Sequence, residues 1–347
     1  MKRLIIFVFS LFLSGAAAFA QSDLQPAAIV RLTRSEPITV KQLKTEVDRL
    51  EKGSRRTLNE QERRQVLDVM INEKLAIQAA ERDRVTVSEG EVTQQVQELR
   101  TGMIQTLGRQ PTEEEFTMAV MNETGLDVPS FREQIRRQLI VQKYLMAQKK
   151  SILESFQVPT EEEIANRYTL EKAQFVRPDT VRFSMIQVPF NADGSDKSRA
   201  RELADRLTRD IGSNPTKFDE AVIRAQAQGS GYRAGDGGYL PRNMQAQQMV
   251  GQEFMDTVFA LRQGEVSKLI EGPRGFQIVK ITEKYEQKNL DLDDLVQPGS
   301  RITVREYIGN RMLQERQQEV IERATAELVT ELRRGNSFQV FENNIRW

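Results

Sequence analysis

Between Val181 and Glu283 the apolar period of the chain switches several times in a fixed order, and few folds accept that order. Val181, Phe183 and Met185 alternate with polar partners and lead into Ile186-Gln187-Val188, which is the period-two pattern of a strand with one buried face. A helix-like run reaches Ile211, the short segment KFDEAV follows, and the chain then enters the turn AGDGGYLPR. Gly235, Gly237 and Gly238 flank Asp236 there, as a tight turn needing positive φ requires. Phe254, Val258, Phe259 and Leu261 return to helical spacing, and Gln263-Gly264 stops that helix before the strand-like GFQIVKI. The segment therefore reads strand, helix, short helix, glycine turn, helix, strand, turn, strand, an α+β order.

The sequence on either side is helical. Ala27–Thr33 and Pro37-Ile38-Thr39-Val40 are extended segments, and a helix is expected from about Lys41 to Glu51, ending at Lys52-Gly53-Ser54. Asn59 with Glu62, Ser88 with Glu91, Thr112 with Glu115 and Thr160 with Glu163 each have the spacing of a capping box. Behind these caps lie apolar stripes: Val66, Leu67, Met70, Ile71, Leu75 and Ile77, then Val92, Val96, Leu99, Met103 and Leu107, then Phe116 and Val120. Pro129 suits the first turn of a helix carrying Phe131, Ile135, Leu139 and Leu145, and Phe175–Asp179 reads as a linker. Tyr285–Ser300 is polar, acidic and interrupted by Pro298-Gly299, which also reads as a linker. A long helix from about Ile302 to Arg334 stops at Gly335, and a strand-like tail with Phe338, Val340 and Trp347 follows. A long one-sided helix cannot bury its stripe by itself and must dock elsewhere, with dimerisation one way to do so.

Composition narrows the chemistry. The 347 residues include no histidine and no cysteine, so disulfides, thiolate or imidazole zinc sites, Ser-His-Asp triads and Cys-His dyads are excluded. Met1-Lys2-Arg3, an apolar run and Ala18-Phe19-Ala20 form a secretory leader with cleavage expected after Ala20. No later stretch reaches the roughly twenty apolar residues of a membrane-spanning helix. Without Lys2 and Arg3, 48 basic residues face 50 acidic ones, and no clustered positive charge suggests a grip on nucleic acid. No GxxxxGK[ST] loop marks a nucleotide site, and no cofactor or metal is expected.

The turn AGDGGYLPR, then FALRQGEVS, then PRGFQIVKI, in that order, resembles the parvulin-type peptidyl-prolyl isomerases. The resemblance implies an apolar pocket for a proline ring above a network of two facing histidines and an Asp or Cys. Here the histidine positions fall on Met185 and Gln277, the Asp or Cys region on Gln226–Gly229, and the family's pocket leucine on Gly237. Met249 and Phe254 remain as the apolar cradle, unless they are ordinary core, and Tyr239 joins Met185 and Gln277 at its rim. The helical half, through VLDVMINEKLAIQAAERDRVTVSEGEV and TEEEFTMAVMNETGLDVPSFREQIRRQLIVQKYL, resembles the N-terminal chaperone domain of SurA and related exported foldases.

The expected architecture is α+β. A leader (1–20) precedes a helical module (21–174), an inserted parvulin-like domain (178–285), a linker (286–300), and a C-terminal helix and tail (301–347) returning to the helical module. The resemblance implies a periplasmic, ATP-independent holdase, monomeric or homodimeric, for unfolded polypeptides such as outer-membrane proteins. Met70, Met103, Met118, Met121 and Met146 offer adaptable apolar contact, or else simply pack the core. A working isomerase with an unusual pocket and a non-catalytic scaffold for one envelope partner are the competing functions.

Overall fold

The computed structural model describes residues 23–191, 193–226 and 230–347, so the expected leader and its cleavage point lie outside the described residues. The chain divides into two compact units, one comprising residues up to Gln157 together with Arg316–Trp347, the other Val158–Glu315.

In the first unit, β1 (Pro26–Val30) is the middle strand of a small antiparallel sheet, with β2 (Glu36–Thr39) on one side and β9 (Phe338–Val340) on the other. Ala28 faces Val340 and Val30 faces Phe338, so the C-terminal tail closes the sheet begun by the N-terminal strand. Helix α1 (Val40–Ser54) begins one residue earlier than expected, because Thr39 and Gln42 form a reciprocal cap. It also runs through Gly53 to Ser54, and Arg55 then takes a left-handed conformation at φ 54°. The caps at Asn59, Ser88 and Thr112 start α2 (Glu60–Arg82), α3 (Glu89–Leu107) and α4 (Glu113–Thr124) as expected. Asp127 caps α5 (Val128–Gln148), with Pro129 in its first turn.

The main core of this unit gathers Ala28, Val30, Ile38, Leu43, Leu67, Ile71 and Leu75 with Leu328 and Leu332 of the C-terminal helix. Gln78 is fully buried within it, yet each end of its amide is satisfied: its oxygen accepts from the Leu32 and Thr33 amides at 3.1 and 3.0 Å, and its nitrogen donates to the Arg34 carbonyl at 3.2 Å. That fixes the turn between β1 and β2. A smaller cluster of Val92, Phe116, Val120, Phe131 and Ile135 holds α3, α4 and α5 together.

In the second unit, Thr160 caps α6 (Glu161–Glu171) as expected. The segments read as linkers are packed structure. Phe175 is buried, β3 (Val176–Arg177) pairs antiparallel with β8 (Lys288–Asn289), and Leu290 is 3% exposed. Leu290 packs with Ile164, Tyr168, Phe175 and, from α11 (Val304–Leu332), Val304, Ile308 and Met312. A polar and acidic composition concealed this, because a few apolar residues among charges are enough to anchor a loop to a core. The isomerase-like part is a four-stranded antiparallel sheet in the order β5 (Arg233–Pro241), β4 (Thr180–Pro189), β7 (Gly275–Tyr285), β6 (Ile270–Gly272). Helices α7 (Lys197–Ile211) and α8 (Pro215–Arg224) supply the apolar residues packed on one face. Those packed on the other come from α9 (Met244–Val250) and α10 (Gln252–Ala260).

Candidate functional site

Strand alternation decides which side chains meet. On β4, Ile186 and Val188 join the core under α7 and α8, whereas Val181, Phe183 and Met185 join the core under α10. On β7 the same division puts Phe276 and Ile278 with α7 and α8, and Val279 and Ile281 with α10. Met185 lies opposite Val279, and Gln277 lies opposite Gln187 two residues along. The two positions where the sequence comparison expects histidines are thus diagonal neighbours on one face, held by a methionine and an amide. Both are half-buried, and neither can titrate.

The two residues of the expected apolar cradle differ sharply in burial. Phe254 is only 6% exposed, its ring 5.6 Å from that of Phe183 in an edge-on contact. Met249 is 80% exposed. Gly237 leaves room for the Phe183 ring. The pairing of β4 with β5 skips Gly237 at a bulge between Phe183 and Ser184, and a Cβ at position 237 would stand 2.2–2.7 Å from the Phe183 ring. With a bare glycine there, the Phe183 ring occupies that space and meets Phe254 edge-on. Phe183 was not singled out in the sequence, although its place in the Val181–Met185 alternation marks it as facing the same way as Met185.

Tyr239 is on the opposite face. It pairs with Arg182, whereas its neighbour Leu240 pairs with Val181 and packs under α10, so Tyr239 is not at the rim of the cradle. It belongs instead to a polar network. Its hydroxyl donates to Glu283 at 3.1 Å, the Tyr285 hydroxyl donates to the same carboxylate at 2.5 Å, and Arg182 reaches Glu283 at 2.9 Å and Asp236 at 2.7 Å. The Tyr285 hydrogen bond, and next the Arg182 guanidinium, hold the Glu283 carboxyl below its usual range, and Arg182 does the same for Asp236. The Glu283 carboxylate in turn pushes the Tyr285 phenol up to about 12. Gly299 lies against the Tyr239 ring, where a Cβ would stand 2.5 Å away, so the segment after β8 closes over this network.

Of the expected Asp or Cys region only Gln226 is described, and Ala227, Gln228 and Gly229 lie outside the described residues. In the helical unit, Met118, Met121 and Met146 are about half exposed, at 52%, 48% and 57%. Met70 and Met103 are partly buried against the two cores. The exposed three leave apolar surface open on the helical unit, and the other two pack the fold. Among the described residues no cluster of acidic side chains could hold a metal ion, and no helix is long and apolar enough to cross a membrane.

Comparison with known proteins follows the same division. Residues 3–145 match the SurA-like N-terminal domain, and residues 159–297 match the PPIC-type peptidyl-prolyl isomerase domain. Chaperone SurA of Chromohalobacter salexigens is 27% identical over 286 residues, which is 81% of this chain and 62% of that protein. Chaperone SurA of Nitrosococcus oceani is 27% identical over 226 residues, 63% of this chain and 48% of that one. The foldase PrsA of Clostridium botulinum is 22% identical over 287 residues, 82% and 75% of the two chains. A solved SurA-like chaperone of Campylobacter jejuni aligns with 91% of this chain and 98% of its own at 14% identity and a TM-score of 0.39. The chain spans about half to three fifths of the length of the first SurA relatives it matches.

Proposed function

Because this chain is a SurA/PrsA-like protein, with a SurA-like N-terminal domain followed by a PPIC-type domain, we propose that it works as an ATP-independent holdase for unfolded polypeptides and has little or no prolyl isomerase activity. One observation supports the second half of this reading: Phe254 is buried, its ring edge-on against Phe183, which fills the space beside Gly237, in a chain with no imidazole. Isomerisation makes and breaks no covalent bond. A catalyst must bind the twisted X–Pro imide better than either planar form, against a barrier of roughly 18–20 kcal/mol. A cradle whose aromatic floor is covered and whose methionine faces solvent gives a proline ring no such site.

The first half rests on the family and on the half-exposed methionines of the helical unit. A holdase acts by mass action on exposed apolar segments and needs only adaptable apolar surface. We assign the protein to the periplasm, with its leader removed after Ala20, and take unfolded outer-membrane proteins as its clients; the N-terminal sequence of the exported protein tests the cleavage. The functional test sets two assays of the full-length mature chain side by side. Light scattering of a diluted, urea-denatured outer-membrane protein is expected to fall when the chain is present at equimolar ratio. Cis–trans exchange in an Ala-Pro peptide is expected to stay within about twofold of the unassisted rate, at which exchange takes tens to hundreds of seconds. Brisk exchange with no effect on scattering would leave the isomerase as the working part and remove the holdase.

A further inference from the structure

Residues 291–303 form a strap whose two ends are fixed in one core. Leu290 before it is 3% exposed and Val304 after it is fully buried, and both pack with Ile164, Phe175 and Ile308. Backbone bonds close the base: the Arg305 amide donates to the Leu292 carbonyl at 2.8 Å, and the Val304 amide to the Asp294 carbonyl at 2.9 Å. Beyond that base the strap is a hairpin with its own bonds. Leu295 bridges Thr303, the Val296 amide donates to the Ile302 carbonyl at 3.0 Å, and the Ser300 amide donates to the Gln297 carbonyl at 3.1 Å.

The tip of the hairpin rests on the isomerase sheet. Gly299 turns there at φ 77°, so close to Tyr239 that a Cβ would stand 2.5 Å from the ring. Tyr239 belongs to a stack. Its ring lies 6.3 Å from that of Tyr285, the Arg182 guanidinium lies 5.2 Å over Tyr239, and the Arg177 guanidinium of β3 lies 5.2 Å over Tyr285. Hydrogen bonds from both tyrosines to Glu283 hold the stack to the sheet. The strap meets it through a ring against a bare glycine, a contact made by dispersion, which is small for each pair of atoms. Such a contact parts without breaking the bonds that hold either the hairpin or the stack.

We propose that the strap is a lid latched by the Gly299–Tyr239 contact: it lifts as a unit from its base at Leu292 and Val304 and uncovers the Tyr239–Tyr285 stack, while the sheet and the core beneath α6 and α11 stay folded. This goes beyond the holdase reading and does not depend on it.

Hydrogen exchange of the full-length mature chain, read by mass spectrometry on fragments covering 291–303 and 275–281, tests the latch. In the wild type the strap is expected to exchange at least about tenfold faster than the sheet fragment, because the strap opens while the sheet stays closed. Tyr239→Ala removes the ring and should speed strap exchange about tenfold further with the sheet fragment unchanged. Tyr239→Phe keeps the ring and loses only the bond to Glu283, so its effect should stay within about twofold. Gly299→Ala drives a methyl group into the ring at a left-handed φ. It should speed strap exchange about thirtyfold in the wild-type background and about fivefold beside Tyr239→Ala, where the backbone strain persists and the clash does not. Tryptic cleavage after Arg301, an exposed residue of the strap, should follow the same order. One rate for strap and sheet in the wild type overturns the lid, and that result needs no variant to fold. Tyr239→Phe acting as strongly as Tyr239→Ala, or a Gly299→Ala effect equal in both backgrounds, overturns the latch.

Discussion

The two faces of the isomerase sheet are made from alternate residues of the same strands, and they differ in how their polar groups are satisfied. Under α7 and α8, beside a core of Ile186, Val188, Phe276 and Ile278, the charged side chains are tied into pairs such as Lys280 with Asp219 and Arg182 with Asp236 and Glu283. Under α10, the Phe183 and Phe254 rings meet edge-on, and among the described residues the half-buried amides of Gln187 and Gln277 have no protein partner. Polar groups set into a fold are ordinarily bonded within it, since leaving one unmatched costs on the order of 1–3 kcal/mol when no water or ligand replaces the partner. The first face ties its charges into pairs, and on the second the amides of Gln187 and Gln277 remain partly open to solvent.

The sharpest way to break that contrast is to ask whether Phe254 is pocket or core. Because its ring is buried against Phe183, Phe254→Ala is expected to cost about 4 kcal/mol, the usual loss for removing a buried aromatic ring. Met249→Ala, at an 80% exposed position, should fall within about 0.5 kcal/mol of wild type. Urea unfolding of both variants measures the difference. Equal and small losses would mean that Phe254 faces an accessible pocket after all, and the sealed cradle would have to be given up.

How much of this could be read from the sequence depends on whether local spacing or strand pairing decides the outcome. The capping boxes at Asn59, Ser88, Thr112 and Thr160 were all legible, because cap and partner lie three residues apart and each helix start is fixed locally. The Thr39–Gln42 cap obeys the same rule, with Gln in place of Glu at its third position. The order of elements from Val181 to Glu283 is legible from its changes of period except at AGDGGYLPR, which reads as a tight turn but forms strand β5, with positive φ at Gly238 and not at Gly235 or Gly237. Tyr239 was not, because adjacency in the turn says nothing about which face a residue takes once a bulge has shifted the register. Met249 and Phe254, five residues apart in sequence, were read together, but the break between α9 and α10 at Gly251 leaves one exposed and the other buried. Gln187 carried a signal that went unused: it follows Met185 by two residues and so shares its face. Its pairing with Gln277 needed the sheet register, which single-sequence spacing does not supply.

A second substitution sharpens the account of why the cradle is closed. Gly237→Ala places a methyl group 2.2–2.7 Å from the Phe183 ring, so ring or strand must move. A loss of about 2 kcal/mol is expected, within the range for overpacking a filled site. Gly235→Ala, two residues away with nothing within 4 Å of its Cβ, is the control and should be close to neutral. If Phe183 swings aside in the Gly237 variant, the 280 nm environment changes little but Phe254 becomes accessible, and peptide affinity should rise. A variant as stable as wild type with unchanged peptide binding would show that Phe183 is not what covers the cradle.

The smallest effect belongs to the bonded face, and its sign with pH is fixed by the direction of the shifts. Glu283 is held below its usual range first by the Tyr285 hydroxyl and then by Arg182, and Asp236 is held down first by Arg182. A carboxyl with a lowered folded-state pKa contributes stability that is present above its unfolded value, about 4.3 for Glu, and is lost as pH falls through the folded value. Glu283→Gln removes that contribution while keeping a group that can still accept from both tyrosines. The variant should therefore melt slightly below wild type at pH 7, by less than either core substitution, because charge pairs this open to solvent are screened. As pH is lowered past 4 the wild type loses its advantage and the two melting curves should converge. Measuring both from pH 7 to pH 3 decides the point: a gap that stays constant would mean that Glu283 acts through packing and hydrogen bonds alone, and a gap that widens in acid would reverse the sign of the proposed linkage.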